Sequence, residues 1–188
     1  MPIPEILGVT GMPLSGKTTV ADIMEEKGYT VLDMGEVVRI EMRKRDIESG
    51  NEGNFVNSMR DEHGMDAIAQ LSVPYLEEII DENEKIMITG MRGWEEKKRF
   101  EEETEEEINI IAVWSSRETR KQRREERQRE EDVEGQKFED RDWRELGNGV
   151  GNIMALSDHL IKNEGTIKAL EEKVKHLGNQ TEKQTQAD

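Results

Sequence analysis

The stretch "GMPLSGKTT", Gly11 to Thr19, gathers residue types that together can wrap a polyphosphate. Gly11, Gly16, Lys17 and Thr18 fit the Walker A spacing Gly-x4-Gly-Lys-Thr in full. Each type has a physical reason. The glycines let the main chain of Gly11, Met12, Pro13, Leu14, Ser15 and Gly16 bend around an oxyanion with its N–H groups turned inward. Lys17 brings a point charge to β- and γ-phosphates, the Thr18 hydroxyl can ligate Mg²⁺, and Thr19 completes the set. The chemistry on offer is the holding of ATP with Mg²⁺.

A second set of candidates is cationic. Arg120, Arg123 and Arg127 stand three and four residues apart, hence on one helical face. Like charges so spaced repel by a few tenths of a kcal/mol per pair, which makes sense if an anion sits between them. The other reading is a charged helix that neutralises itself. From Arg117 to Asp132 the run holds seven basic and six acidic residues, so it is no nucleic-acid tract. No cysteine exists, and the histidines at 63, 159 and 176 lack metal-ligand spacing, so thiolate chemistry and a His-based metal centre are excluded.

These side chains need elements to hold them. Five short apolar runs read as strands: Ile6–Thr10, Thr30–Asp33, Lys85–Thr89, Ile108–Trp114 and His159–Lys162. Helical patterns separate them, the first closed by Gly28. Strands that alternate with helices predict an α/β protein with a parallel sheet covered on both faces and ligands at the strands' C-terminal ends. The stretches from Gly35 to Asn83 and from Ser116 to Ser157 are too long for single crossovers and read as excursions over the site.

The whole chain fits one domain of 188 residues with a net charge of −16. Such an acidic surface opposes nucleic-acid and anionic-membrane partners. With 33% hydrophobic and 37% charged residues, the core is small beneath a heavily solvated surface. The N-terminal residues lack a basic region and no run approaches a membrane span, so a cytoplasmic location is expected.

The chain resembles an archaeal family of P-loop proteins related to adenylate kinase and dephospho-CoA kinase. The pieces that carry the resemblance are "GVTGMPLSGKT", "MGEVVRIE", "MRDEHGMDAIA", "GMRGWEE", "SSRETRKQR", "RDWRELGNGVGNIMALSD" and "NEGTIKALEEKV". It implies a P-loop NTPase fold: a five-stranded parallel sheet sandwiched by helices, an acceptor-binding insert over about 35–83 and an Arg-rich lid over about 116–150. These would lie in one domain over 1–178, with 179–188 a tail.

It also implies phosphoryl transfer from ATP to a small molecule, a nucleoside monophosphate such as AMP foremost. By the same resemblance Gly35, Arg39, Arg60, Arg92, Arg129 and Arg141 would serve the acceptor, with a salt-bridging role open for Arg60. Arg123, Asn163 and Gly165 would border the donor, and Lys17, Arg92, Arg127 and Asp33 would act in transfer. Asp33 matches the dephospho-CoA kinase branch, where a carboxylate faces an acceptor hydroxyl, and it can equally cap the turn that follows it. One departure stands out. The third strand ends in Thr89 where the relatives' acidic residue would hold a metal-bound water. A neutral hydroxyl cannot replace that charge, which leaves open an ATP-binding regulator with little transferase activity.

Overall fold

The computed structural model describes residues 5–127 and 138–184, with side chains over 5–126 and 138–177. The apolar runs form five strands: β1 Glu5–Thr10, β2 Thr30–Asp33, β3 Lys85–Thr89, β4 Asn109–Trp114 and β5 His159–Lys162. The described helices are α1 Lys17–Glu25, α2 Met34–Lys44, α3 Glu52–His63, α4 Ala67–Ile80, α5 Trp94–Thr104, α6 Arg117–Arg127, α7 Phe138–Gly147, α8 Val150–Ala155 and α9 Ile167–Gln184.

All strand pairs are parallel, in the order β2-β3-β1-β4-β5. Side chains alternate between the two faces, as the strand period demands. Ile6, Ile86, Ile88 and Ile110 point to one face, where Phe100, Met34 and Val38 cover them. Leu7, Val9, Met87, Ile111 and Val113 point to the other, against Val20, Met24, Leu170 and Val174. Both faces are therefore dry, which is why these strands read as nearly continuous apolar runs.

The stretch after β2 packs on the sheet: Val37 and Met42 of α2, Phe55 and Val56 of α3, and Ile68 and Leu76 of α4 are buried in the same cluster as the strands. Its helices are amphipathic and spend their apolar stripes on the sheet. Among the described residues no helix is long and apolar enough to cross a membrane.

Candidate functional site

The loop Gly11–Gly16 leaves the C-terminal end of central β1 and enters α1 at Lys17. Two backbone positions bend it sharply: Leu14 has φ 65° and Gly16 φ 102°. At Gly16 a side chain is excluded twice over, because a Cβ would also lie 2.3 Å from Asn163 Nδ2. Thr18 is exposed at the start of α1, Thr19 half-buried, and the Ser15 hydroxyl is buried without a hydrogen-bond partner.

Lys17 folds back over the loop. Its Nζ donates to Gly11 O at 2.6 Å and Met12 O at 3.0 Å. Burial of the ammonium, then the Arg92 guanidinium, lower its pKa from 10.5 to about 8, with Arg141 and Arg120 adding to the effect and Glu145 opposing it. The Lys17 ammonium thus stands at the loop mouth in surroundings that a polyanion would make more favourable to its charge. An orphaned hydroxyl inside a bent loop and a crowded ammonium at its mouth fit a polyphosphate.

Magnesium fits differently. Among the described residues no group of three or more His, Cys, Asp or Glu could hold a metal. That suits an ion carried mainly by nucleotide phosphates and water, with Thr18 as the protein's contribution, since Mg²⁺ seldom uses an all-protein cage.

The ends of β2 and β3 lie side by side, with Asp33 in register with Thr89. Asp33 caps α2, its Oδ1 accepting from Gly35 N at 2.8 Å, and its side chain stays 49% exposed. Arg39 reaches back to Asp33 Oδ2 at 3.6 Å and donates to Glu36 at 2.8 Å. So a carboxylate stands one strand away from where Thr89 lacks one, and Gly35 and Arg39 stand beside it.

Arg92 leaves the loop after β3. Its Nε is 3.2 Å from Glu145 of α7, a carboxylate only 6% exposed, while Arg92 itself stays 38% exposed. The loop's amides are held by Glu96, whose Oε2 accepts from Arg92 N at 2.6 Å and Gly93 N at 3.2 Å. Its Oε1 accepts from Arg60 Nη2 at 2.9 Å, so Arg60 occupies the ion-pair role of the two left open for it. Gly149, at φ 98°, packs on this loop: a Cβ there would meet Arg92 O at 3.1 Å.

On α6 the described arginines of the stripe already have partners within the protein. Arg120 does not wait for an anion: it is paired twice with Asp142 of α7, at 2.6 and 2.7 Å, and is buried. Phe138 lies under its guanidinium at 5.0 Å. Arg117 pairs with Glu139. Arg123 turns to the back of the phosphate loop, donating to Leu14 O at 3.1 Å, Ser15 O at 3.2 Å and Asn163 O at 3.0 Å. It braces the loop's carbonyls instead of presenting a free cation. The side chain of Arg127 and all of Arg129 lie outside the described residues.

Asn163 is buried and donates from Nδ2 to Ser15 O at 2.9 Å, so the loop after β5 is sewn to the phosphate loop. Gly165 is exposed, and Thr166 caps α9 by accepting from Ala169 N at 3.3 Å. Glu164 caps α6 instead, accepting from Ser116 N and from Thr119 Oγ1. Those hydrogen bonds, the Thr119 hydroxyl first, hold its carboxyl below the usual range. The residues missed from sequence are Glu96, Asp142, Glu145 and Glu164. A signal existed for the first: Glu96 stands three residues after Gly93, at the position whose carboxylate can cap a helix.

A phosphate loop after the central strand of this parallel sheet defines the P-loop kinase fold. The chain superposes with TM-score 0.64 on TT1252 from Thermus thermophilus, at 18% identity over 94% of this chain and 97% of that one. A shikimate kinase from Bacteroides thetaiotaomicron gives 0.58 at 12% identity, covering 93% and 98% of the two chains. A gluconokinase from Sinorhizobium meliloti gives 0.59 at 10%, covering 98% and 99%. Residues 10–138 match the family described as AAA domain. A UPF0200 protein of Thermococcus sibiricus is 38% identical over 176 residues, covering 92% of this chain and 93% of that protein. One of Methanothermobacter thermautotrophicus is also 38% identical, covering 92% and 88%. The chain belongs to the archaeal UPF0200 family, within the AAA-domain P-loop proteins.

Proposed function

We propose that this protein is an ATP- and Mg²⁺-dependent small-molecule kinase whose acceptor is a nucleoside monophosphate such as AMP. One observation carries the reading: the sharply bent loop between β1 and α1 holds a buried, unpartnered Ser15 hydroxyl, and Lys17 lies over its mouth, its pKa lowered first by burial and then by Arg92. Such a set of groups at a strand-to-helix turn is suited to a polyanion. The fold neighbours named for shikimate and gluconate act on small molecules, which supports that class of acceptor.

In this reading the N–H-bearing residues of the loop Gly11–Gly16, Pro13 excepted, and Lys17 hold the donor phosphates, while Asn163 and Gly165 border the base. Thr18 would help to hold magnesium, which when bound would supply charge neutralisation for the transfer. Arg39 and Arg92 hold the acceptor phosphate, with Gly35 allowing its approach. Arg123 serves by fixing the loop, and Arg127, Arg129 and Arg141 add charge around the nucleotide. The acceptor oxygen bonds to the γ-phosphorus, the bond to the bridging oxygen breaks, and ADP leaves; a phosphate acceptor needs no base.

Asp33 favours a second reading. An exposed carboxylate in register with Thr89 suits an alcohol acceptor, whose proton it would take. A phosphorus NMR screen of ATP with each nucleoside monophosphate, dephospho-CoA and common nucleosides decides between them. A new phosphoanhydride is expected with AMP; a new phosphoester on an alcohol instead establishes the second reading. ADP and inorganic phosphate alone in every tube would point to a nucleotide-binding regulator. Lys17→Ala should abolish transfer with the far-UV spectrum unchanged, and retained turnover in it would remove the mechanism.

A further inference from the structure

Glu96 is buried to 1% exposure and uses its two carboxylate oxygens on groups from two other parts of the fold. It belongs to the first turn of α5, takes Arg60 from α3, and grips the amides of Arg92 and Gly93 after β3. Gly93 is the N-cap of α5, and Glu96, three residues on, reaches back to accept from its N–H and from that of Arg92 before it. Arg92 in turn meets Glu145 of α7. The result is an alternating row, Arg60–Glu96–Arg92–Glu145, that runs from the helices after β2 to those after β4 and passes beside Lys17.

We propose that Glu96 is a positioning residue: it sets the direction of Arg92 through that residue's own amide, with Arg60 balancing the charge that Glu96 carries into the interior. The inference deepens the kinase reading, and rests on it only for what Arg92 holds. An ordinary helix cap would need one oxygen. Here the second oxygen is committed to a guanidinium whose Nε and Nη1 have no partner. Leaving two buried N–H-bearing nitrogens unmet is costly, so a pair placed for stability alone is poorly explained. A pair that fixes a loop at the sheet's C-terminal edge accounts for it, because a functional side chain needs its backbone held tightly.

Two variants in the full chain test this by amide hydrogen exchange and mass spectrometry, with no need for turnover. In Glu96→Ala the segment 90–94 should exchange about tenfold faster while segment 11–19 keeps its protection. The charge-free pair Arg60→Met with Glu96→Gln keeps an amide oxygen for the two loop N–H groups and should retain protection at 90–94. Unchanged exchange in Glu96→Ala, loss spread evenly through α3 and α5, or equal loss in the charge-free pair would each overturn the proposal.

Kinetics supply the second arm. Glu96→Ala should raise the acceptor KM about tenfold with the ATP KM unmoved, and should add nothing to Arg92→Ala. Additive losses would show that Glu96 does not act through Arg92. If the wild-type chain transfers to no acceptor, the kinase reading falls while the exchange result still decides the role of Glu96.

Discussion

Lys17 is where charge is most crowded, and its proton reports on the ligand. Its folded pKa of about 8 lies below the 10.5 of a free lysine, so between those values the unfolded chain binds more protons. Stability of the ligand-free protein should therefore rise with pH from about 8 toward 10.5 through this group, and gain nothing from it below. A polyphosphate screens Arg92 and Arg141 and restores the proton. Calorimetry with ATP in buffers of differing ionisation heat should show uptake at about pH 8.5 and almost none at about pH 6.5. Equal values at both would remove Lys17 from the phosphate site. The lysine's place at the loop was legible because the Walker A pattern is a matter of local spacing. Glu96 and Arg60 stand 36 residues apart, and no local pattern joins them. Arginines drew the eye as anion ligands, whereas their carboxylate partners become visible only once α5 and α7 are packed.

Among the elements, α6 and α7 form a clamp. Arg120 and Asp142 are 6% and 13% exposed, so neither charge has water to fall back on. Asp142→Ala should cost about 3 kcal/mol in denaturant unfolding by stranding the Arg120 guanidinium. Arg120→Met combined with Asp142→Leu should recover most of it, because two apolar groups leave no charge unpaired. A loss below about 0.5 kcal/mol in the single variant would mean that water reaches the pair. Helix positions in this region were predictable from glycines and periodicity. The stripe's meaning was not, since Arg120 and Arg123 look alike in sequence whether they await a phosphate or already hold Asp142, Ser15 and Asn163. Packing, which periodicity cannot report, decides between those.

At the scale of the molecule, the excess of acid is a load on the fold. With −16 net charge, self-repulsion is screened by salt, so raising NaCl from about 0.05 to 0.5 M should lift Tm by several degrees. A flat or falling Tm would show that the ion pairs described above outweigh the general repulsion. Fold class was readable because strands and helices alternate and both sheet faces are dry. Strand order was not, because register between distant segments leaves no trace in either periodicity.

That order has a consequence for how the chain is made. β1 lies between β3 and β4, its Glu5 opposite Lys85 and its Leu7 opposite Asn109. A ribosome delivers the phosphate loop early, yet both flanking strands emerge only after the helices between have been synthesised. A ligand of that loop would therefore meet its full binding site only in a nearly finished chain.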